Sequence, residues 1–324
     1  MPRVMVSDRI VTVFGGSGFV GRHVIRALAG KGLRVRNAVR RPDLAGHLQP
    51  LGSVGQVHSV QANIRDTRSV REAMEGAYAV VNLAGVLYES GRQSFEAVHV
   101  DGARRIAEAA DAAGVTHLVQ MSAIGADAQS PSAYGRTKAA GEEAVLSSFR
   151  GATVLRPSIV FGPEDSFFNR FAAMARISPF LPLIGGGATR FQPVFAGDVG
   201  DAVAKAVCGE IQPAVYELGG PEVKTFRELM EFVLKVTDRK RALLPIPFAA
   251  ARLQASVLQM LPKPLLTVDQ VHLLETDNVV SDAAQAQGRT LEGIGIRPSA
   301  IETIVPAYLY SYRRAGQFTD VHAS

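Results

Sequence analysis

The chain is poor in several things, and each shortage narrows what it can be. Cys208 is its one cysteine among 324 residues, so no internal disulfide and no multi-cysteine metal site can form, which suits a reducing compartment. No apolar run approaches the about 18–20 residues that cross a bilayer. The amino terminus, MPRVMVSDR, lacks the apolar core of a signal peptide, because the first apolar run is already a strand pattern at Ile10. A cytoplasmic chain, peripheral on the cytoplasmic face of the inner membrane, is the expectation. Internal repeats and low-complexity tracts are missing. Acid is scarce at the start: through residue 41, Arg3, Arg9, Arg22, Arg26, Lys31, Arg34, Arg36, Arg40 and Arg41 face Asp8 alone. With a net charge of +5, that asymmetry is either a solvated basic face or one that meets a phosphate ligand, an anionic lipid surface or an acidic partner. Nucleic acid fits worst, since no stacking aromatics interleave the basic residues.

What is present is an alternation. Apolar strand patterns at 10–14, 33–39, 56–62, 79–84, 116–122 and 152–160 are separated by helical patterns, among them 69–75, 96–114 and 133–148. Strands that alternate with helices predict an α/β fold, a Rossmann-type doubly wound parallel sheet. The rhythm breaks after FGPEDSFFNR: 178–195 reads as an apolar loop, 196–207 as a helix, 214–220 as a strand and 225–237 as a helix. This divides the chain into a dinucleotide-binding domain over 1–160 and a smaller substrate or docking lobe over 161–324, with elements returning to the main sheet. Residues 243–266 are apolar apart from Arg252 and Lys263, and prolines at their ends confine any helix to about 248–261. Its apolar side chains either complete the core of the lobe or meet a membrane interface or a hydrophobic subunit.

Gly15, Gly18 and Gly21 stand at three-residue spacing directly after the first strand, where a helix opens. In a strand–turn–helix they serve, in that order, a tight turn, approach of backbone to a pyrophosphate, and close packing of helix on strand. The helix N-terminus adds N–H groups and a partial positive charge. A plain structural turn is the competing reading. A dinucleotide cofactor whose adenosine ribose carries no phosphate calls for a carboxylate at the end of the second strand. NAVRRPD has Arg40 and Arg41 there instead, which suit a 2′-phosphate and favour NADP(H) over NAD(H), unless they only continue the basic face.

With these residues in place, the chain resembles the extended or atypical branch of the short-chain dehydrogenase/reductase superfamily, over roughly residues 8–240. GGSGFVG is similar to its cofactor turn, ANIRD (62–66) to the segment near the adenine that ends in Asp66, NLAG (82–85) to its fourth-strand motif, YGRTK to its Tyr-x-x-x-Lys and LRPSIVFGP (155–163) to its sixth-strand motif. The resemblance implies cofactor contacts from Ser17, Phe19 and Val20 beside the glycines, Asn63 and Ile64, then Leu83, Ala84, Gly85 and Val86, then Met121, Tyr134 and Lys138, and finally Pro157 and Ile159. The spacing of Tyr134 and Lys138 has its own logic. They lie one helical turn apart on one face, and a neighbouring ammonium favours the phenolate of a group that otherwise titrates near 10, so the pair can exchange a proton with a substrate oxygen. The same lysine can bond the nicotinamide ribose.

Two departures from the family pattern matter. Active members place a Ser or Thr just past the fifth strand to polarise a carbonyl. In QMSAIGAD, Ser122 is either that residue or the strand-end serine before it, which would put Ala123 in the catalytic place. His99 stands where extended members have an Asn that helps organise the Tyr-Lys helix. The resemblance narrows through GRHVIRAL, VVNLAGV and above all RPSIVFGPEDSFFNRFAAMARISPFLPLIGGGATRFQPVFAGDVGDAV to the SDR-related accessory subunits of respiratory complex I, NADH:ubiquinone oxidoreductase. That branch implies a nucleotide held structurally near the quinone arm, with complex I subunits as partners. The alternative is a free NADP-dependent reductase or sugar-nucleotide epimerase with Tyr134 as acid/base, Lys138 tuning it and Ser122 polarising the carbonyl. A redox-sensing regulator is a third, weaker reading.

Overall fold

The computed structural model describes residues 7–262 and 264–313; Arg3 and Lys263 lie outside them. In chain order the first stretch forms β1 (Ile10–Phe14), α1 (Phe19–Gly30), β2 (Arg34–Val39), β3 (Val57–Gln61), α2 (Thr67–Met74), β4 (Ala77–Asn82), α3 (Asp101–Ala112), β5 (His117–Met121), α4 (Ala133–Ser148) and β6 (Thr153–Pro157). There follow β7 (Val160–Phe161), α5 (Phe168–Ile177), β8 (Phe180–Ile184), β9 (Arg190–Phe191), β10 (Val194–Phe195), α6 (Ala196–Val207) and β11 (Val215–Leu218). The last part gives β12 (Lys224–Thr225), α7 (Phe226–Val236), β13 (Ala242–Ile246), α8 (Phe248–Leu258), α9 (Val268–Leu273), α10 (Asp282–Ala286) and α11 (Ile301–Leu309).

The chain divides into two units. The first takes the described residues through 157, then 196–218 and 280–297. Its sheet runs β11-β6-β5-β4-β1-β2-β3, and every neighbouring pair is parallel. A strand covered on both faces must be apolar on both, and β1 meets that demand: Val11, Thr12, Val13 and Phe14 are wholly buried, the Thr12 hydroxyl satisfied by the Ala73 carbonyl at 2.9 Å. The α1 stripe of Val24, Ile25 and Leu28 is also fully buried, each side chain contributing about 1.5–3 kcal/mol. Truncating Ile25 to Ala would cost about 2–5 kcal/mol. The strand order reverses at β1, which pairs with β2 on one side and β4 on the other, and this opens the crevice where such sheets take ligands.

The second unit takes 158–195, 219–279 and the described residues from 298. The segment 178–195, expected as a loop, contains β8, β9 and β10. β8 buries Leu181, Leu183 and Ile184 and pairs with β13, its parallel partner in register from Phe180–Ala242 to Ile184–Ile246. That partner lies far along the chain, so the pairing left no local signal. The core is aromatic-rich, with Phe161, Phe168, Phe191 and Phe226 buried together with Leu181, Leu229 and Val305. Buried Asp165 pins the 162–169 turn: it accepts the N–H groups of Gly162 (3.3 Å) and Asn169 (3.1 Å) and the hydroxyl of Tyr308 on α11. Burial pushes its carboxyl up from the usual range and, with the adjoining carboxylate, pushes the Tyr308 phenol up as well.

Other bounds shift by up to three residues. The helix expected at 69–75 starts at Thr67, because the Asp66 carboxylate caps it by accepting Arg68 and Ser69 N–H. The helix expected at 96–114 is π-helical over Glu96–Val100 before α3 begins. The one expected to reach 261 ends at Leu258.

Candidate nucleotide-binding site

The turn between β1 and α1 is built of glycines that cannot be replaced. Gly15 has φ +80°, and a Cβ there would lie 3.1 Å from Ala84 N in the loop after β4. At Gly21 a Cβ would fall 2.3 Å from the Gly16 carbonyl oxygen. Gly21 therefore lets α1 pack on the turn itself, and Gly16, whose Cβ would stand 2.5 Å from Asn37 Oδ1 and 2.9 Å from Ile25 Cδ1, is a required residue that the three-residue spacing did not pick out. Gly18 differs. It is exposed, its Cβ would meet only Gly15 O at 3.5 Å, and as the N-cap of α1 it brings no side-chain cap to the first-turn N–H groups. The structure thus leaves open the place where a phosphate would approach, with Ser17 and Phe19 half-buried beside it, Val20 following, and no acid in the first turn.

The strand-end loops are fixed from behind by a buried amide chain. Asn82 Nδ2 donates to Gln120 Oε1 (2.8 Å), Asn82 Oδ1 accepts Ala84 N–H (3.0 Å), and Gln120 Nε2 donates to Met121 O (3.1 Å). Leu83 N–H donates to Phe14 O at 2.9 Å. These bonds hold Leu83, Ala84, Gly85, Val86 and Met121 at the carboxyl ends of β1, β4 and β5. Asn63 N–H donates to Ser69 Oγ and its Oδ1 accepts Arg65 N–H, while Ile64 packs where Gly102 leaves room. Pro157 closes β6 and accepts Ile124 N–H at 3.0 Å. Ile159, across the unit boundary, bonds Val194 through its carbonyl within the second unit.

On α4, Tyr134, Lys138 and Glu142 succeed one another at one-turn spacing. Lys138 is buried, and the single hydrogen bond its ammonium makes among the described residues is to Met121 O at 3.3 Å. Burial lowers it to about 8, with the buried Glu142 carboxylate opposing the shift. Glu142 is itself gripped by the Arg156 fork at 2.9 and 2.6 Å. A Cβ on Gly85 would stand 3.4 Å from Lys138 Nζ. The Tyr134 ring meets Phe95 and His99 edge-on, with centroids 5.9 and 5.3 Å away.

His99, buried in the π-helical turn, ties these parts together. Val86 N–H donates to its Nε2 at 3.1 Å, so the proton sits on Nδ1, 3.2 Å from Thr137 Oγ1, which passes its own proton to Ala133 O at 2.8 Å. Burial and the nearby Lys138 ammonium push the imidazole down to about 3, so it stays neutral. Ser122, just past β5, is buried, and its Oγ is an orphan: no group among the described residues accepts from it or donates to it. Ala123, Ile124, Gly125 and Ala126, which follow, carry no hydroxyl.

The arginines at the end of β2 are exposed but not equivalent. Arg40 reaches Gln93 Oε1 at 2.8 Å. Arg41 is engaged by Asp43 through two bonds of 3.0 and 2.7 Å. The residues present fit a dinucleotide: an open Gly18 at a helix N-terminus and an ammonium with donors to spare.

The NAD dependent epimerase/dehydratase family matches residues 11–219. The chain is 35% identical to the mitochondrial NADH dehydrogenase (ubiquinone) 1 alpha subcomplex subunit 9 of Arabidopsis thaliana, over 97% of this chain and 80% of that one. It is 31% identical to the mitochondrial NADH-ubiquinone oxidoreductase 40 kDa subunit of Neurospora crassa, over 96% and 81%, and 31% identical to the ceramide reductase of Caulobacter vibrioides, over 86% and 88%. Among solved structures, an NADPH-dependent quinone oxidoreductase of Escherichia coli complexed with NADPH shares the fold at TM-score 0.72 and 20% identity, over 93% of this chain and 99% of that one.

Proposed function

The chain belongs to the NAD dependent epimerase/dehydratase family, and from that membership we propose that it is an accessory subunit of respiratory complex I that keeps NADP(H) as a resident, structural nucleotide. The observation that carries the assignment is the near full-length likeness to proteins named as NADH dehydrogenase and NADH-ubiquinone oxidoreductase subunits. Its place is beside the quinone arm, peripheral on the cytoplasmic face of the membrane; no helix among the described residues is long and apolar enough to cross one.

A nicotinamide dinucleotide, when bound, supplies hydride chemistry; the chain's own residues decide whether that chemistry is used. Gly15, Gly18, Gly21, Ser17, Phe19 and Val20 hold the pyrophosphate end, with Asn63 and Ile64 toward the adenine. Arg40 takes the 2′-phosphate, and Arg41, shared with Asp43, adds less. Leu83, Ala84, Gly85, Val86, Met121 and Pro157 flank the nicotinamide half, and Lys138 donates to ribose hydroxyls. Tyr134 is a further ribose contact. Turnover would need a hydroxyl open to substrate at the end of β5. Ser122 is sealed and its successors have none, which supports a resident nucleotide over a cosubstrate.

The enzyme reading draws on the retained Tyr134–Lys138 pair and on the ceramide reductase relative. Native membranes separate the two. In the subunit reading the chain migrates with complex I and releases about one NADP(H) on denaturation, whose redox state does not change while NADH and quinone turn over. A chain that migrates alone and whose nucleotide is oxidised by a carbonyl substrate is an enzyme.

A further inference from the structure

Helix α8 in the second unit turns only part of its apolar surface to the core. The inward side holds Ala251 and Ala255, buried with Ile184 and Val271, and the half-buried Phe248 at its start. Other large residues face out, with Leu253 73%, Val257 65% and Met260 82% exposed, followed by Leu261. Spaced four, three and one apart, they form one stripe along the helix and its last turn. The neighbouring β8–β13 ribbon repeats the pattern. Leu181 and Leu183 point into the core, while Phe180 and Leu244, on the opposite face by register, are exposed, as is Ile177 just before them. A monomer rarely leaves so many large apolar side chains of one region in water without a partner.

The charge of the same elements says what the partner is. Residues 239–268, which contain β13 and α8, hold five basic residues and no acid, and residues 166–197, which contain α5 and β8, hold three arginines and no acid. Arg176 and Lys240 are exposed at the ribbon's entrance. The two segments are paired to each other through β8 and β13. Arg252 on α8 is already paired with Glu275 at 2.7 Å, while the exposed Arg176 and Lys240 are in no ion pair among the described residues. Exposed apolar side chains together with such cations match a bilayer surface of anionic phospholipid, the former entering the headgroup boundary and the latter meeting phosphate.

We propose that the outward face of α8 and the β8–β13 ribbon is a membrane-docking surface for anionic phospholipid, an inference that rests on the peripheral placement above and names the residues that achieve it. Leu253 and Val257 are the insertion stripe; Arg176 and Lys240 supply the charge. The helix is far shorter than a bilayer span, so it lies in the interface.

The test is flotation of the purified full chain with vesicles of phosphatidylcholine alone and of phosphatidylcholine with phosphatidylglycerol. The wild type should float with the anionic vesicles, weaken with added salt and ignore the neutral ones. Leu253→Glu/Val257→Glu should lose about tenfold or more of the affinity, with melting and NADP(H) affinity as in the wild type. Arg176→Glu/Lys240→Glu should lose the preference for phosphatidylglycerol. No flotation of the wild type, unchanged flotation of the leucine–valine variant, or a variant that melts well below the wild type would each overturn the proposal. A variant that drops out of complex I although the wild type ignores vesicles would place a hydrophobic subunit there and also overturn it. A wild type that floats but never migrates with complex I keeps the surface and removes the subunit reading; the reverse pattern does the opposite.

Discussion

Lys138 and Glu142 sit buried one turn apart on α4 of the first unit, while Leu253 and Val257 stand exposed one turn apart on α8 of the second. Each pair is displaced from where its chemistry would settle in a chain selected for stability alone. The buried pair is compensated: Glu142 has the Arg156 fork, Lys138 has a carbonyl, and the charges oppose each other's desolvation. The exposed pair has no compensation within its own unit. A displaced polar group that is satisfied internally is poised for a ligand that adds the remaining bonds, whereas a displaced apolar group that is not satisfied awaits a surface.

The comparison breaks most sharply at Gly18. Gly18→Val should abolish NADP(H) binding, more than about 100-fold by calorimetry, since the side chain would occupy the phosphate's approach. Because a Cβ there meets only one carbonyl at contact distance, the ligand-free protein should melt close to the wild type. Retained binding would mean that the buried charges of α4 serve something other than a dinucleotide.

Lys138→Met tests whether the buried ammonium is kept for a ligand at the cost of stability. NADP(H) affinity should fall about 10–100-fold, as for loss of a charged hydrogen bond, while the ligand-free protein should melt about 2–4 °C higher. The sign follows from linkage. Burial holds Lys138 at about 8 against the ordinary 10.5, so the unfolded chain carries more protons between those values. Wild-type stability should therefore gain on the variant as pH rises through that window. Wild-type NADP(H) affinity should weaken across the same range as the ammonium discharges. A pH-independent affinity would remove Lys138 from the ribose.

Smaller effects sharpen the picture. Arg40→Ala should reduce NADP(H) affinity about tenfold and leave NAD(H) unchanged. Arg41→Ala should do less, because Asp43 already engages that guanidinium. Equal losses for both nucleotides would mean that the arginines only continue the basic face. Tyr134→Phe should matter least for assembly: the ring contacts to Phe95 and His99 persist, and complex I content and NADH:quinone activity should stay near wild type. Loss equal to that of a deletion would contradict a structural nucleotide.

The first unit was largely legible in the sequence because its signals are local. A fully apolar strand, glycines at fixed spacing and a Tyr-Lys pair on one helix each fall within a few residues, and β1 and α4 lie at their expected bounds. What escaped was set by partners far away. Gly16 is required by Asn37 on β2 and Ile25 on α1, which a Cβ there would strike, and His99 in the π-turn bonds Val86 N–H and Thr137. In the second unit β8 owes its form to β13, and the pattern of α8 shows hydrophobicity but not which side faces out; only the burial of Ala251 and Ala255 reveals it.

The interleaved layout of the two units also governs how the polypeptide emerges. β11, the outermost strand beside β6, arrives only at residue 215, and Glu217 is completed later still, when its carboxylate accepts Ser281 N–H and its amide reaches Arg289 O. During synthesis the growing sheet therefore waits with the hydrogen-bonding edge of β6 bare while the ribosome makes the intervening chain, a template for mispairing that closes only once translation has passed β11. Chaperone demand should accordingly peak before translation has passed β11, and fragments ending before residue 215 should be the aggregating ones.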